Sequence, residues 1–394
     1  MNIDKYRSET PGIKNVIHLN NAGASLQPLP VYNTVIEYLN AEMQMGGYET
    51  ADKYKQAIEN FYENTARLIN AQPQEIAFTE SATHAWDMAF YSIPFKKGDV
   101  ILTSRIEYAS NYIAYLQMKK RKGVIILPVD SNEFGEIDLE NLEKHARNEK
   151  VKLISITHMP TNGGIVNPAE EVGKIAVDHG IIYMLDACQS AGQYPLNVKK
   201  LKCDFLSATG RKYLRGPRGT GFLYANSNLF DKIEPFSLDL HSASWTSSES
   251  YKIREDAKRF EKWECNLAAK TGLGRAMEYC MNVGIENIWN RVQELGFKLR
   301  SGLKDIPGIE VLDIGRIQSG IVTFRHNKIP ASEIRDLLFS EKINTTVAVA
   351  NGTLLDMQDR NIDTALRASV HYFNTEEEIG RLIEVVSKKV VQQK

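Results

Sequence analysis

Between Glu75 and Ala225, short β-branched apolar runs alternate with stretches whose apolar residues recur every three or four positions. The runs predict strands at 76–79, 100–103, 124–129, 151–157, 181–186, 204–208 and 221–225. Helical periodicity fills several of the gaps, at 82–93, 111–122, 139–148 and 168–179. Strands that are apolar throughout belong to a sheet buried on both faces, and strand–helix alternation makes such a sheet mostly parallel. Upstream, Pro28 and Pro30 punctuate the start of a helix near 31–45, and another amphipathic stretch covers 54–69.

Beyond Cys265 the texture changes. Long helices at 267–283 and 285–303 lead into strand-like 309–312 and 320–324, a helix at 331–341, and strand-like 345–349 and 365–370. A last helix starts at Thr375, with Glu376, Glu377 and Glu378 in its first turn, where carboxylates suit the helix dipole. The pattern predicts a large α/β unit over 15–265 and a small α+β unit over 266–394, with 1–14 packing against the smaller one. A chain of 394 residues is too long for one ordinary core, which agrees with two units.

Composition narrows the partners. Hydrophobic residues make up 43% and charged residues 25%, as in globular proteins, and a net charge of −1 leaves no broad basic face for nucleic acid or anionic membrane. Cys188, Cys203, Cys265 and Cys280 are scattered, without zinc, redox or disulfide-framework spacing, which fits a reducing cytoplasm. The opening Met1-Asn2-Ile3-Asp4-Lys5-Tyr6-Arg7 lacks the apolar core of a signal peptide, and no apolar run is long enough to span a bilayer. The expectation is a soluble cytoplasmic protein. No histidine or carboxylate cluster has metal-ligand spacing, so no metal is expected.

The chemistry sits in two adjacent segments. Ile182-Tyr183-Met184-Leu185-Asp186-Ala187-Cys188-Gln189 is an apolar strand ending in a carboxylate, where open α/β sheets present groups to ligands. Alone, Asp186 reads more readily as a turn cap. The next strand runs into Thr209-Gly210-Arg211-Lys212-Tyr213-Leu214-Arg215-Gly216, a loop without the order of a P-loop, whose lysine alone would read as solvated. Together they place a carboxylate and a lysine side by side at one sheet edge, the two groups a pyridoxal-phosphate site requires. The lysine holds the coenzyme as a Schiff base and later takes the Cα proton; the carboxylate keeps the pyridine nitrogen protonated.

With these segments in view, the chain resembles the class V aminotransferase family of fold-type I pyridoxal-phosphate enzymes. That family includes cysteine desulfurases, isopenicillin N epimerases, cyst(e)ine C–S lyases and ergothioneine-pathway sulfoxide lyases. The resemblance runs from His18-Leu19-Asn20-Asn21-Ala22-Gly23 to Leu366-Arg367-Ala368-Ser369-Val370-His371-Tyr372-Phe373-Asn374-Thr375-Glu376-Glu377, nearly the whole chain. It implies a PLP-dependent transferase-like large domain with a small C-terminal domain, and a homodimer with sites at the subunit interface.

The resemblance also implies roles. Lys212 is similar to the Schiff-base lysine, Asp186 to the pyridinium partner and Gln189 to the donor to the ring's phenolic oxygen. Ser81-Ala82-Thr83 resembles the phosphate cup and opens a helix, whose N-terminus suits phosphate, though Thr83 also reads as an ordinary N-cap. Thr209 and Arg211 occupy the positions of further phosphate ligands. Tyr108 stands where desulfurases carry a ring-stacking histidine, and a half-buried structural tyrosine is its plain alternative. Arg367 resembles the arginine that grips the substrate α-carboxylate, with a structural ion pair as the alternative. Asn21 and Thr161 are weaker substrate-site candidates that turn formation explains almost as well.

Two departures matter. Desulfurases carry a mobile cysteine shortly before that arginine, yet Val347-Ala348-Val349-Ala350-Asn351-Gly352-Thr353 offers no thiol. Where they carry Gly-Thr, this chain has Trp263-Glu264, which leaves Arg211 or Arg215 to supply phosphate charge and resembles the epimerase and sulfoxide-lyase branch. His241-Ser242-Ala243-Ser244-Trp245-Thr246 reads as a loop near the entrance, and His158 and His371 as structural. The resemblance implies that an α-amino acid is bound as an external aldimine and loses its Cα proton. The leading specific reading is β-elimination by a C–S lyase acting on a cysteine derivative. Transamination and epimerisation are alternatives, and a coenzyme-binding protein without turnover is the reading from another class.

Overall fold

The computed structural model describes residues 1–392. Seven strands form one sheet in the order Ile76–Thr79, Gly221–Ala225, Phe205–Thr209, Ile182–Asp186, Val151–Thr157, Val100–Thr103, Ile125–Pro128. Neighbours run parallel except at Gly221–Ala225, which is antiparallel to both its partners.

Side-chain alternation explains why these strands read as unbroken apolar runs. In Gly221–Ala225, Phe222 and Tyr224 enter one core while Leu223 and Ala225 enter another. The first core is closed by Phe61, Tyr62 and Ala66 of helix Lys55–Ile69 and by Leu273, Ala276 and Met277 of helix Leu267–Val283. Trp86 and Phe90 of helix Ala82–Ser92 close the second, together with Tyr115 and Met118 of helix Ala109–Lys122. Each fully buried side chain of this size contributes about 1.5–3 kcal/mol, so a polar residue on either face is strongly selected against.

A second sheet, all antiparallel, has the order Ile309–Val311, Ile321–His326, Thr364–Ser369, Thr346–Val349. Helices Ile285–Lys304, Ala331–Ser340 and Glu376–Gln392 back it through Leu295, Leu299, Ile334, Leu338 and Leu382. Ile17–His18 pairs in parallel with Ile343–Asn344, tying the N-terminal segment to this second layer. Helix Leu267–Val283 links the two sheets: Leu273, Ala276 and Met277 enter the first core of the large sheet, while Tyr279, Cys280 and Val283 at its end pack with the residues that back the smaller sheet.

One expectation is corrected here. The segment around Ala243 is not a loop: Ala243–Ser247 and Ser250–Ile253 form an antiparallel hairpin. Its side chains are mostly exposed, Trp245 at 84%, so no apolar alternation marked it as a strand. Among the described residues, no helix is long and apolar enough to cross a membrane.

Candidate active site

Asp186 closes the central strand Ile182–Asp186 and pairs in register with Ser207 of the next strand. Lys212 follows that strand's end, so both groups line one cavity at the carboxyl edge of the sheet. Asp186 is buried, and each of its oxygens is held: Oδ1 accepts from the Cys188 backbone N–H at 2.9 Å and Oδ2 from Asn111 Nδ2 at 3.0 Å. Lys212 lines the open cavity, yet its amine is packed deep enough that desolvation pulls its pKa below the ordinary lysine value. Arg211 and Arg367 push the same way, while Cys188 and Asp186 oppose them. A lowered amine pKa increases the neutral, nucleophilic fraction.

The far end of the cavity is built for an anion. Ser81 caps helix Ala82–Ser92, its side chain accepting from the His84 N–H at 3.1 Å, so the helix N-terminus opens on the cavity with Ala82 and Thr83 in its lining. A Cβ at Gly221 would lie 2.9 Å from Ala82 N and 2.8 Å from Ser81 C, so only glycine lets strand and helix approach this closely. Thr209 and Arg211 complete the wall, with the Arg211 guanidinium also donating to the Gly23 carbonyl.

Gln189 and Thr161 line the same cavity. Gln189 Nε2 makes only long bonds, 3.2 Å to Ala22 O and 3.4 Å to Thr161 Oγ1, and its buried Oε1 has no partner. Arg367, only 7% exposed, donates to Thr161 O at 2.9 Å, to Thr161 Oγ1 at 2.8 Å and to Asn20 Oδ1 at 3.1 Å. No carboxylate among the described residues neutralises it, its Nε is unpartnered, and burial pulls its pKa down to about 10. Among the described residues Arg367 therefore makes no structural ion pair.

Asn21 is not among the residues that line the cavity. Its fully buried side chain donates to Ser369 O at 2.8 Å and accepts from Ser25 Oγ at 2.7 Å, which assigns it to the turn. Arg215 is likewise corrected. Its guanidinium is consumed by Leu26 O, Tyr372 Oη and Thr10 Oγ1 at 2.6–2.9 Å and stacks on Phe373, so it is not free for phosphate. His371 is buried with Nε2 at 2.9 Å from Tyr213 O, and His158 is buried too, as structural roles require.

Tyr108 lines the cavity and precedes helix Ala109–Lys122. Beside it lie two residues that sequence reasoning missed: Glu107 and Asn111 form a buried pair, with Asn111 Nδ2 at 2.9 Å from Glu107 Oε1. Burial pushes Glu107 up to about 7, with Asp186 adding to it and donors from Thr157 and Asn111 opposing. The available signal was a glutamate just past a strand's carboxyl end with an asparagine four residues on.

All four cysteines are free, and burial raises the pKa of each, Cys265 included. The segment Val347–Thr353 is pinned: Asn162 Nδ2 donates to Val349 O at 3.0 Å and Thr353 Oγ1 at 3.4 Å.

The cavity fits pyridoxal phosphate: a lysine amine, a buried carboxylate, an unsatisfied buried amide and a helix N-terminus surround one space. Among the described residues no group of three or more His, Cys, Asp and Glu side chains is placed to hold a metal ion. The model of the family described as aminotransferase class-V matches residues 17–382. The chain is 29% identical over 397 residues to a probable cysteine desulfurase of Methanothermobacter thermautotrophicus, with 98% of each chain covered. It is 30% identical over 395 residues to a probable cysteine desulfurase of Pyrococcus abyssi, covering 98% of this chain and 97% of that one. The apo structure of the cysteine desulfurase from Thermococcus onnurineus NA1 superposes with a TM-score of 0.92 at 27% identity, covering 99% and 98% of the two chains. None of the three bears a name from the epimerase or sulfoxide-lyase branch. From the match over 17–382, the fold and the cavity, the chain belongs to the aminotransferase class-V family and is a pyridoxal-phosphate-dependent enzyme.

Proposed function

We propose that the enzyme breaks a carbon–sulfur bond of a cysteine derivative by β-elimination, without a protein thiol as sulfur acceptor. The observation that carries an amino-acid substrate is Arg367, a buried guanidinium with no carboxylate of its own, bonded to Thr161 at the cavity wall. A substrate α-carboxylate that reached this guanidinium would relieve an otherwise uncompensated charge. In this reading Lys212 bonds the coenzyme and then moves the Cα proton, and Asp186 holds the proton on the pyridine nitrogen. Ser81, Ala82, Thr83, Thr209 and Arg211 take the phosphate, Gln189 turns its amide toward the phenolic oxygen, and Tyr108 covers the ring. When bound, pyridoxal phosphate supplies an electron-withdrawing ring that accepts the electron pair left on Cα.

The relatives' name favours a second reading, persulfide formation on a cysteine. Against it stand the pinned, thiol-free Val347–Thr353 and the raised thiol pKa values, since the thiolate is the nucleophile. The deciding experiment supplies cysteine, cystine and S-substituted cysteines and follows pyruvate, ammonia and the released sulfur species. Stoichiometric pyruvate and ammonia support elimination. A keto acid formed only with an amino acceptor would mean transamination, and inverted substrate without product would mean epimerisation.

A homodimer is part of the same proposal, supported by exposed apolar side chains such as Tyr32, Met43, Tyr48, Trp245 and Trp263. A cytoplasmic location is supported by four cysteines that are all free. The proposed division remains 15–265 and 266–394, with 1–14 on the smaller unit.

A further inference from the structure

We propose that Glu107 is a positioning residue of the coenzyme site: through the side-chain amide of Asn111 it fixes the orientation of Asp186. This rests on the reading of Asp186 as the partner of the pyridine nitrogen. The amide nitrogen of Asn111 has two hydrogens, and both are committed, one to Glu107 Oε1 at 2.9 Å and one to Asp186 Oδ2 at 3.0 Å. A flipped amide would turn its oxygen toward two carboxylates, so the contact to Glu107 decides that Asp186 receives a donor.

Glu107 is itself held from three directions. Its Oε2 accepts from Thr103 Oγ1 at 2.9 Å, and its Oε1 from the Tyr108 N–H at 2.9 Å and from the Thr157 hydroxyl. Thr103 and Thr157 end neighbouring parallel strands, and Tyr108 precedes the helix that carries Asn111. One carboxylate thus joins two strand ends, the residue at the ring and the amide on Asp186. A group only 3% exposed beneath a ligand cavity is costly unless its bonds are made, and here both carboxylate oxygens are bonded.

The test uses the full chain loaded with pyridoxal phosphate. Glu107→Gln and Asn111→Ala are made singly and together, and Thr209→Ala, at the other end of the cavity, serves for comparison. Two quantities are read: the coenzyme dissociation constant and the visible absorption spectrum of the bound coenzyme. Each single variant should raise the dissociation constant about tenfold, the worth of one charge-assisted hydrogen bond, and alter the ratio of the visible bands. The double variant should be no weaker than the weaker single one, whereas Glu107→Gln and Thr209→Ala should add. Unchanged affinity and spectrum in Glu107→Gln would overturn the proposal, as would a Glu107→Gln effect of full size in the Asn111→Ala background. Should Glu107→Gln fail to fold, Asn111→Ala decides alone, and an unchanged spectrum and affinity there overturn it. A wild type that binds no pyridoxal phosphate would instead overturn the coenzyme reading, and this proposal with it.

Discussion

Arg367 donates to both the carbonyl and the hydroxyl oxygen of Thr161, at 2.9 and 2.8 Å, across 206 residues of chain. The contact joins the second sheet to the wall of the cavity, because Arg367 lies on Thr364–Ser369 and Thr161 beyond Val151–Thr157. A charge buried in this way is aimed by its neutral partners and neutralised by none of them.

Removing that charge should damage binding and orientation together. Arg367→Ala is expected to lower kcat/KM at least about a hundredfold, with KM raised and kcat reduced, because a misaligned Cα–H bond reacts slowly. Thr161→Val should have a smaller effect in the same direction. Steady-state kinetics on an amino acid and on the matching amine without a carboxylate check this: equal binding of the two by wild type would remove Arg367 from the substrate.

Borohydride treatment of the loaded enzyme should fix the coenzyme to Lys212. Peptide mapping reads the site, and a pyridoxyl group on another lysine would sink the assignment. Lys212→Ala should still bind the coenzyme through the phosphate end while losing turnover by roughly a thousandfold or more.

Turnover should survive without any thiol. Cys203 and Cys280 are buried, so replacement by serine would cost about 1–3 kcal/mol each in unpaired hydroxyls, and alanine is the better choice. With all four cysteines replaced, a variant that folds and binds coenzyme should keep turnover within about threefold, less than 1 kcal/mol of barrier. A protein-bound persulfide found during the wild-type reaction would restore the desulfurase mechanism.

Glu107 should give the coenzyme-free protein a pH-dependent stability of definite sign. Its pKa is pushed up to about 7 in the folded chain from an ordinary value of 4.5. Between those values the folded state holds a proton that the unfolded state has released, so Glu107 makes stability fall as pH rises from 4.5 to about 7. Urea unfolding of wild type and Glu107→Gln across this range isolates the effect. The wild type should lose stability relative to the variant as pH rises, and a constant difference would contradict the raised value.

Much of this molecule was readable before its structure. The runs at 76–79, 100–103, 151–157 and 221–225 became strands with those bounds, because β-branched apolar stretches that short have one stable use in a chain of this kind. The hairpin spanning Ala243 to Ile253 was not readable, since exposed Trp245, Ser247 and Tyr251 carry no period of burial. Asn21 could not be assigned from sequence for a related reason: a lone polar residue in a turn looks alike whether it faces a ligand or its own backbone.

What the sequence determined alone is the order of strands and helices and, from it, the meeting of Asp186 and Lys212. Both follow from local periodicity and from the rule that parallel strands present their carboxyl ends together. Only the tertiary structure decided which long-range partners each polar group found. Arg215 and Arg367 are both arginines in glycine- or strand-rich surroundings, yet one is spent on Leu26, Tyr372 and Thr10 while the other is left without an anion. Glu107 and Asn111, which both follow strand Val100–Thr103, meet Asp186 at the end of Ile182–Asp186, 75 residues beyond Asn111. The reason is physical: periodicity reports which face is buried, whereas the pairing of a buried polar group depends on every element packed around it.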